Sequence, residues 1–315
     1  MVQTTEKKIQ DENLRQQIQE LIDRKKIDQT GLAKKIGYSG AALSTYLKGD
    51  YKGRIENFET ELRKFLSTFK ENTNQLKTVL NFVETSVSKN IFNAAKLCQY
   101  NGEMGVCFGA SGLGKTTAIK AYQKEKSGVI YVDPDENTSP RAVLKQVATQ
   151  LKLPNFSQYM ETFIDDIVKR LYGTGYIIIV DEAENLNSKM FRILRKIHDR
   201  CNGTIGILFV GTEVLYGNLL KLQGEYIYVL NRIAYCVKLD YLSASDVGSL
   251  VKQVFPDISD TLLIHFENVT NRNARVLFNT LKRAKDIVNT SKETLNKDII
   301  DTARGFLLVT KMRGI

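Results

Sequence analysis

The chain has 315 residues, which at about 150 residues per domain suggests two domains and excludes a single small module. Its composition, 43% hydrophobic and 25% charged, is that of a globular protein and excludes a chain that is disordered throughout. No apolar run approaches the roughly 20 residues of a membrane helix, and the polar start carries no secretion signal. Four cysteines and two histidines are too scattered for a zinc or disulfide framework. We therefore expect no membrane association and a reducing cytoplasm.

The formal net charge is +10, and the basic excess lies at the two ends of the chain, in residues 1–100 and 251–315. Such an excess favours polyanionic partners, because cationic side chains release counterions from nucleic acid on binding. A soluble protein that happens to be basic has the same composition. The charge alone does not decide between these two interpretations.

Helical spacing of apolar residues opens the chain and predicts a compact helical unit. One short helix ends at Gly37, and Ser39 is placed to cap a second helix over Ala41–Lys48. Two helices around a short glycine turn are typical of a helix-turn-helix. A longer amphipathic helix follows, with apolar residues from Phe58 to Phe69 that can close the core. We predict an all-α helix-turn-helix DNA-binding domain over residues 1–70.

Beyond residue 100 the pattern changes to short apolar runs that alternate with amphipathic stretches, which predicts a parallel sheet flanked by helices. After Leu242 only helical patterns remain. The five predicted strands are Val106–Phe108, Val129–Asp133, Tyr176–Asp181, Ile205–Val210 and Tyr235–Leu239. The predicted organisation is a helix-turn-helix domain at 1–70, a helical connector at 71–100, an α/β core at 101–242 and a helical lid at 243–315.

The first predicted strand of the core leads into a glycine-rich segment that fits G-x-x-x-x-G-K-[ST] at every fixed position. Its residues are Gly109, Ala110, Ser111, Gly112, Leu113, Gly114, Lys115 and Thr116, with Thr117 opening the next helix. Glycines let backbone N–H groups curl around phosphates, and the helix N-terminus adds partial positive charge. Lys115 is placed to reach the β- and γ-phosphates of ATP, and Thr116 to ligate Mg²⁺. A simple glycine-rich turn does not explain the lysine followed by threonine.

A second signal is the buried run Ile177–Val180, which ends in Asp181 and Glu182. A strand of this kind delivers carboxylates to the carboxyl edge of a parallel sheet. We expect Asp181 to hold Mg²⁺ and Glu182 to orient and polarise the attacking water. Glu182 therefore predicts hydrolysis of ATP rather than binding alone.

Three further residues are candidates for the catalytic site. Thr212, after another predicted strand, is placed to sense the γ-phosphate or simply to cap the strand. Arg232, before the last strand, is placed to touch the nucleotide of a neighbouring subunit or to form a surface ion pair. Arg275, in the lid, is placed to reach the nucleotide or to lie on the surface.

Together these residues resemble the AAA+ ATPases of the initiator and helicase-loader type. A helix-turn-helix in front of that module resembles, more narrowly, the family of the phage Mu B transposition protein, over nearly the whole chain. The resemblance implies an α/β P-loop AAA+ core with a helix-turn-helix domain before it and a helical lid after it. Thr212 departs from the asparagine that is common at its position in the family.

The resemblance also implies a function. It implies an ATPase that requires Mg²⁺, polymerises on double-stranded DNA with little sequence preference, delivers that DNA to a DDE transposase and disassembles on hydrolysis. An arginine that acts in trans, as Arg232 would, requires head-to-tail contacts, which produce rings or helical filaments. The expected location is the cytoplasm of a bacterial or phage-infected cell.

The candidate DNA contacts fall in three places. The predicted recognition helix offers Ser44, Thr45 and Lys48 but no side chain for bidentate base readout, so phosphate contact is expected there. The helix after Asp181 carries basic residues at three- and four-residue spacing, which form a DNA face or a solvated charged face. Those residues are Lys189, Arg192, Arg195, Lys196 and Arg200. Lys221 is a candidate in a later loop.

Two other functions are compatible with the same motifs. One is a transcriptional regulator whose helix-turn-helix reads an operator while the ATPase acts as a nucleotide switch. The other is a helicase loader, which shares the ATPase core and differs only in its partner. The recognition helix, poor in base-reading side chains, argues against the regulator.

Overall fold

The computed structural model describes residues 11–23, 27–74, 81–221 and 231–305. The chain divides into two compact units, Met1–Lys77 and Thr78–Ile315. Within the described residues, no helix combines the length and the apolar character needed to cross a membrane.

The first unit is helical throughout its described residues. Its helices are α1 (Glu12–Asp23), α2 (Gln29–Lys35), α3 (Gly40–Leu47) and α4 (Ile55–Asn74). Ser39 accepts a hydrogen bond from the N–H of Ala42 and so caps α3, and Gly37 turns the chain before it with a φ of +75°. All four helices contribute side chains to one core, in which Leu43, Tyr46 and Phe58 are fully buried. The two helices and the glycine turn of the predicted helix-turn-helix are thus present.

The second unit alternates strands and helices and ends in helices alone. Its first part comprises α5 (Ser86–Asn101), β1 (Met104–Gly109), α6 (Lys115–Glu125), β2 (Val129–Val132), α7 (Pro140–Gln150), α8 (Met160–Leu171), β3 (Ile177–Val180), α9 (Ser188–Arg200), β4 (Gly206–Gly211), α10 (Glu213–Lys221) and β5 (Ile233–Leu239). Its last part comprises α11 (Ala244–Val254), α12 (Asp260–Thr270), α13 (Ala274–Ser291) and α14 (Lys297–Gly305).

The five strands form one parallel sheet in the order β2-β3-β4-β1-β5. All five strands predicted from the sequence are confirmed, with ends shifted by one or two residues. β1 lies between β4 and β5, so its carboxyl end opens beside the carboxyl ends of its neighbours. In sheets of this kind, ligands bind at that edge.

Helices cover both faces of the sheet. One face packs against α7, α8 and α9, and the other against α5, α6 and the C-terminal helices, in two clusters of buried side chains. Helix α5 contributes Val87, Ile91 and Cys98 to the second cluster. Residues 86–101, which lie in the segment predicted as a connector, therefore belong to the core of the second unit.

A buried carboxylate adds a polar contact between the C-terminal helices and the start of this unit. Asp246, in the first turn of α11, accepts hydrogen bonds from the N–H of Ser243 at 2.9 Å and from the N–H of Ser86 at 3.1 Å. The hydroxyl of Ser86 donates to the same carboxylate at 2.6 Å. This contact joins residues that are 160 positions apart in the chain. It places the start of α5 next to the lid helices.

Candidate functional site

The glycine-rich segment forms the turn between β1 and α6. Gly114 precedes α6 with a φ of +90°, and no side chain caps the first N–H groups of the helix. Those groups remain available to an anion at the positive end of the helix dipole. At the other end of the turn, a Cβ on Gly109 would lie 2.4 Å from the carbonyl oxygen of Leu239 in β5. Glycine at this position therefore lets the turn pass close to the edge strand.

Lys115 is the first residue of α6, directly after this turn. Its Nζ donates hydrogen bonds to the carbonyl oxygens of Gly109 at 3.0 Å and Ala110 at 2.9 Å. Burial lowers the pKa of Lys115, and the negative charges of Glu184 and Asp181 oppose that effect. The ammonium group is thus held beside the helix N-terminus by carbonyls that bear no net charge, where a phosphate can bind it.

Asp181 directly follows β3 and is almost completely buried, with 1% of its surface exposed. The hydroxyl of Thr116 hydrogen-bonds its carboxylate, and the hydroxyl of Tyr131 donates to it at 3.2 Å. Burial raises the pKa of Asp181, against the lowering effect of these hydrogen bonds. A buried carboxylate beside a threonine hydroxyl at a phosphate-binding turn suits Mg²⁺, which is held by few protein oxygens together with substrate phosphates. Among the described residues, no cluster of three or more histidine, cysteine or acidic side chains offers a purely protein-built metal site.

Glu182 is exposed and lines the cavity described below. Its backbone is left-handed, with a φ of +45°, and its N–H donates to Asp181 Oδ1 at 3.0 Å. Its carboxylate lies 3.5 Å from the side-chain nitrogen of Asn185. Partial burial raises the pKa of Glu182, and the charges of Asp133 and Asp181 add to that effect. A carboxylate with a raised pKa, free to meet solvent, is suited to accept a proton from water.

Thr212 follows β4 and also lines the cavity. Its N–H donates to both carboxylate oxygens of Glu184, at 3.1 and 3.2 Å, and its hydroxyl accepts a hydrogen bond from the N–H of Val214 at 3.3 Å. The hydroxyl keeps its own proton to donate to a ligand. Sequence reasoning missed Glu184, although its position two residues after Glu182 was the available signal.

A cavity of about 490 Å³ lies at this edge of the sheet. It is lined by residues 111–118 of the turn and the start of α6, together with Asp181, Glu182, Thr212 and Arg275; the predicted Gly109 and Ala110 are not among its lining residues. Its other wall is largely apolar and was not predicted from the sequence. That wall includes Phe82, Val83, Leu242, Leu250, Phe278 and Leu281. A polar end with phosphate-binding groups and an apolar end fit a nucleotide, whose base is largely apolar.

Arg232 does not line this cavity. It immediately precedes β5, whereas the phosphate-binding turn follows β1, and the two strands are parallel. Arg232 is therefore at the opposite edge of the sheet, where its Nε lies 3.2 Å from Asp199 Oδ1. Both interpretations of the sequence, an arginine that acts in trans and a surface ion pair, agree with this position.

The basic residues of α9 fall into two groups. Arg195 pairs with Asp199 on the same helix, and Lys196 and Arg200 pair with Glu161 and Asp165 of α8. The other two, Lys189 and Arg192, are exposed and form no ion pair within the part of the chain that is described. The candidate DNA face thus retains two unneutralised charges at its start.

In the first unit, Lys48 is exposed after α3 and Ser44 is half-buried. The hydroxyl of Thr45 donates to the carbonyl oxygens of Ala41 and Ala42, so it is bonded within its own helix. Lys221 ends α10, but its side chain lies outside the described residues.

Comparison with known proteins gives a matching family profile, related proteins and a shared fold. A family profile described as an AAA domain matches residues 98–219. The chain is 26% identical over 230 residues to the Mu-like prophage FluMu DNA transposition protein B of Haemophilus influenzae, covering 72% of this chain and 79% of that protein. It is 23% identical over 242 residues to the ATP-dependent target DNA activator B of Escherichia phage Mu, covering 76% of each. The ORC2 protein of Aeropyrum pernix, solved in ADPNP–ADP complexes, shares the fold with a TM-score of 0.56 at 17% identity, over 74% of this chain and 70% of that one.

Proposed function

We propose that this chain, which is an AAA ATPase of the Mu B transposition protein family, loads ATP, assembles head to tail on double-stranded DNA and marks that DNA as a transposition target. Binding to DNA is largely independent of sequence. A DDE transposase receives the coated DNA, and hydrolysis of ATP disassembles the polymer.

The observation that carries the proposal is the convergence of Lys115, Thr116, Asp181 and Glu182 on one cavity. Lys115 and the first N–H groups of α6 bind the phosphates of ATP. Thr116 and Asp181 would hold Mg²⁺, which supplies charge neutralisation at the phosphates when bound. Glu182 orients a water molecule and takes its proton at the carboxylate, and Thr212 donates from its hydroxyl toward the terminal phosphate.

Nucleotide binding is coupled to assembly through Arg232. Because Arg232 lies at the opposite edge of the sheet from its own cavity, it can complete a catalytic site only on another copy of the chain. A contact between two different surfaces of the same protein repeats head to tail, which gives a ring or a helical filament. We favour the filament because a linear duplex is the ligand.

DNA binding rests on phosphate contacts. Lys189 and Arg192 supply unneutralised charge on α9, with Arg195 and Lys196 as further contacts, and Lys48 with Ser44 and Thr45 supply the helix-turn-helix contribution. Lys221, at the end of α10, is a further proposed contact. Contacts of this kind fix the position of a protein on DNA without reading sequence.

The names of the relatives support the biological setting. One is a DNA transposition protein of a prophage, and another is an ATP-dependent target DNA activator of a phage. Both come from bacteria or their phages, which supports action in the cytoplasm of a bacterial cell.

Binding to a plasmid with and without ATP tests the proposal. We expect electron micrographs to show continuous coating of plasmid DNA with ATP and loss of the coat on raising the salt concentration. Nuclease protection should show no discrete footprint on any sequence. Lys115→Ala serves as the nucleotide-binding control and should leave bare DNA. Protection of one operator sequence would support the transcriptional regulator instead. A protein that stays monomeric with both ATP and plasmid present would exclude the polymer, and binding of a replicative helicase rather than a transposase would identify a helicase loader.

A further inference from the structure

The first turn of the lid helix α13 contacts the outside of the phosphate-binding turn. The side-chain nitrogen of Asn273 donates a hydrogen bond to the carbonyl oxygen of Ser111 at 2.8 Å. The backbone N–H of Arg275 donates to the carbonyl oxygen of Gly112 at 2.9 Å. Two consecutive carbonyl groups of the turn are therefore bound by residues about 160 positions further along the chain.

These two bonds orient the rest of their peptide groups. In a planar trans peptide the C=O and the N–H of the next residue point in opposite directions. When the carbonyls of Ser111 and Gly112 face the lid, the N–H groups of Gly112 and Leu113 must face away from it. Backbone N–H groups of this turn are the donors that a phosphate group requires.

The orientation of the Asn273 amide follows from its two partners. Its oxygen accepts a hydrogen bond from the N–H of Val276 at 3.2 Å, and so caps the N-terminus of α13. The side-chain nitrogen is left for the carbonyl of Ser111, which can only accept. The oxygen of the Asn273 side chain therefore caps the lid helix, and its nitrogen binds the phosphate-binding turn.

Gly112 permits this close approach. It occupies one of the four variable positions of the phosphate-loop motif, yet its φ is +81°. A Cβ at this position would lie 2.6 Å from Asn273 Oδ1 and 3.1 Å from Arg275 Cβ. The lid contact therefore explains a glycine that the phosphate motif itself does not demand.

We propose that Asn273 is a positioning residue for nucleotide binding, which preorganises the phosphate-binding turn by holding the Ser111 carbonyl on the lid side. The side chain acts through the turn and does not touch the nucleotide. A turn fixed in its binding geometry loses less conformational freedom when the phosphates arrive, which strengthens binding. The proposal deepens only the nucleotide-binding part of the proposed function and is independent of DNA and of assembly.

Asn273→Asp tests the proposal because it separates the two bonds. The aspartate keeps an oxygen to cap α13 but has no proton to donate to Ser111. The matched control is Asn296→Asp, since Asn296 Oδ1 accepts from the N–H of Ile299 at 2.9 Å at the start of α14. Both variants make the same chemical change at a lid helix cap, and only the first faces the turn.

The readout is the dissociation constant of the full chain for ADP and for a non-hydrolysable ATP analogue, measured without DNA. We expect Asn273→Asp to bind both nucleotides about fivefold to tenfold more weakly, as for the loss of one hydrogen bond, and Asn296→Asp to bind both normally. Equal effects on ADP and ATP distinguish this role from that of Arg275, whose removal should weaken the ATP analogue more than ADP.

Thermal unfolding of all these variants is measured alongside. Asn273→Ser retains a capping hydroxyl but adds no negative charge beside the phosphates, so it must show the same loss of affinity as Asn273→Asp. Normal affinity for both nucleotides in the Asn273 variants would overturn the proposal, as would a loss confined to the ATP analogue. Failure of Lys115→Ala to weaken binding would instead remove the nucleotide site itself.

Discussion

Arg232 and Asp199 form an ion pair, with Nε and Oδ1 3.2 Å apart, at the edge of the sheet opposite the phosphate-binding turn. The same carboxylate pairs with Arg195 of α9 through its other oxygen, at 3.1 Å. One acidic side chain therefore binds both the candidate trans-acting arginine and a candidate DNA contact.

Arg232→Ala tests the trans-acting arginine. We expect the turnover of the DNA-bound assembly to fall by roughly a thousandfold or more, because an arginine that stabilises the transferred phosphoryl group contributes that much. The affinity of the monomer for ATP should stay the same, since Arg232 is absent from its own cavity.

Asp199→Asn provides the matched control for Arg232→Ala. It removes the intramolecular partner but keeps the guanidinium group, and an exposed ion pair contributes less than about 1 kcal/mol to stability. Turnover should therefore be retained. Equal losses of turnover in the two variants would show that Arg232 matters only as part of the ion pair.

Lys115→Ala should weaken ATP binding by roughly tenfold to a hundredfold, the range for losing a charged hydrogen-bond donor to a phosphate. Titration with a fluorescent ATP analogue gives the affinity. Lys124→Ala, an exposed change on the same helix, is the control and should bind normally. Similar affinities for the two variants would argue against the placement of the phosphates beside Lys115.

Glu182→Gln should bind ATP and coat DNA but hydrolyse ATP about a hundredfold to ten-thousandfold more slowly, because the amide cannot accept the proton of the water. Single-turnover hydrolysis measures the chemical step directly, and the lifetime of filaments in electron micrographs should rise with it. Hydrolysis at the parent rate would assign the base to another group, such as Glu184, which also lines the cavity.

Lys189 and Arg192 should contribute more to DNA binding than Lys196 and Arg200, because the latter two are paired with acidic residues of α8. Replacing the first pair with alanine should lower the slope of log affinity against log salt concentration by about two. The Lys196→Ala, Arg200→Ala double variant is the comparison and should change the slope less. The reverse order would place the DNA on the other end of α9.

The burial of His198 leads us to expect that the free energy of unfolding depends on pH. The ring is buried, with Nε2 2.9 Å from the carbonyl oxygen of Gly102, and burial lowers the pKa of His198 below 6.5. Below about pH 6.5, the unfolded chain binds a proton at His198 more readily than the folded chain does. The contribution of the neutral ring to the free energy of unfolding is therefore present above about pH 6.5 and is lost as the pH falls. The melting temperature of the parent should fall more steeply between about pH 7.5 and about pH 5.5 than that of His198→Gln. Parallel curves would contradict the assignment.

The sheet and the centre of the candidate site could be predicted from the sequence because their signals are local. Short runs of β-branched apolar residues such as Ile177–Val180 favour a buried strand, and the phosphate-binding turn is defined by eight consecutive residues. Since carboxyl ends of parallel strands share one edge, Lys115, Asp181 and Thr212 could be brought together without coordinates.

The remaining features depend on partners that the sequence does not identify. Lys196 and Arg200 are neutralised by acidic residues of α8, more than 30 positions earlier, so charge spacing on α9 alone overstated its basic face. Asn273 and Glu184 belong to no sequence motif. Each is hydrogen-bonded to a backbone group of another segment, the carbonyl of Ser111 and the N–H of Thr212 respectively. Phe82 and Val83 fall in a stretch predicted as a connector, which hid their place in the cavity wall.

Strand β5 has a mechanical consequence for the proposed filament. Arg232 immediately precedes the strand, and Leu239, its last residue, lies against Gly109, where the phosphate-binding turn begins. The seven residues of β5 span about 20 Å in extended conformation. Because they are hydrogen-bonded along β1, the two ends of the strand move together. In the proposed filament, a displacement of Arg232 by the nucleotide of a neighbouring subunit would therefore be transmitted along β5 to the phosphate-binding turn of its own subunit.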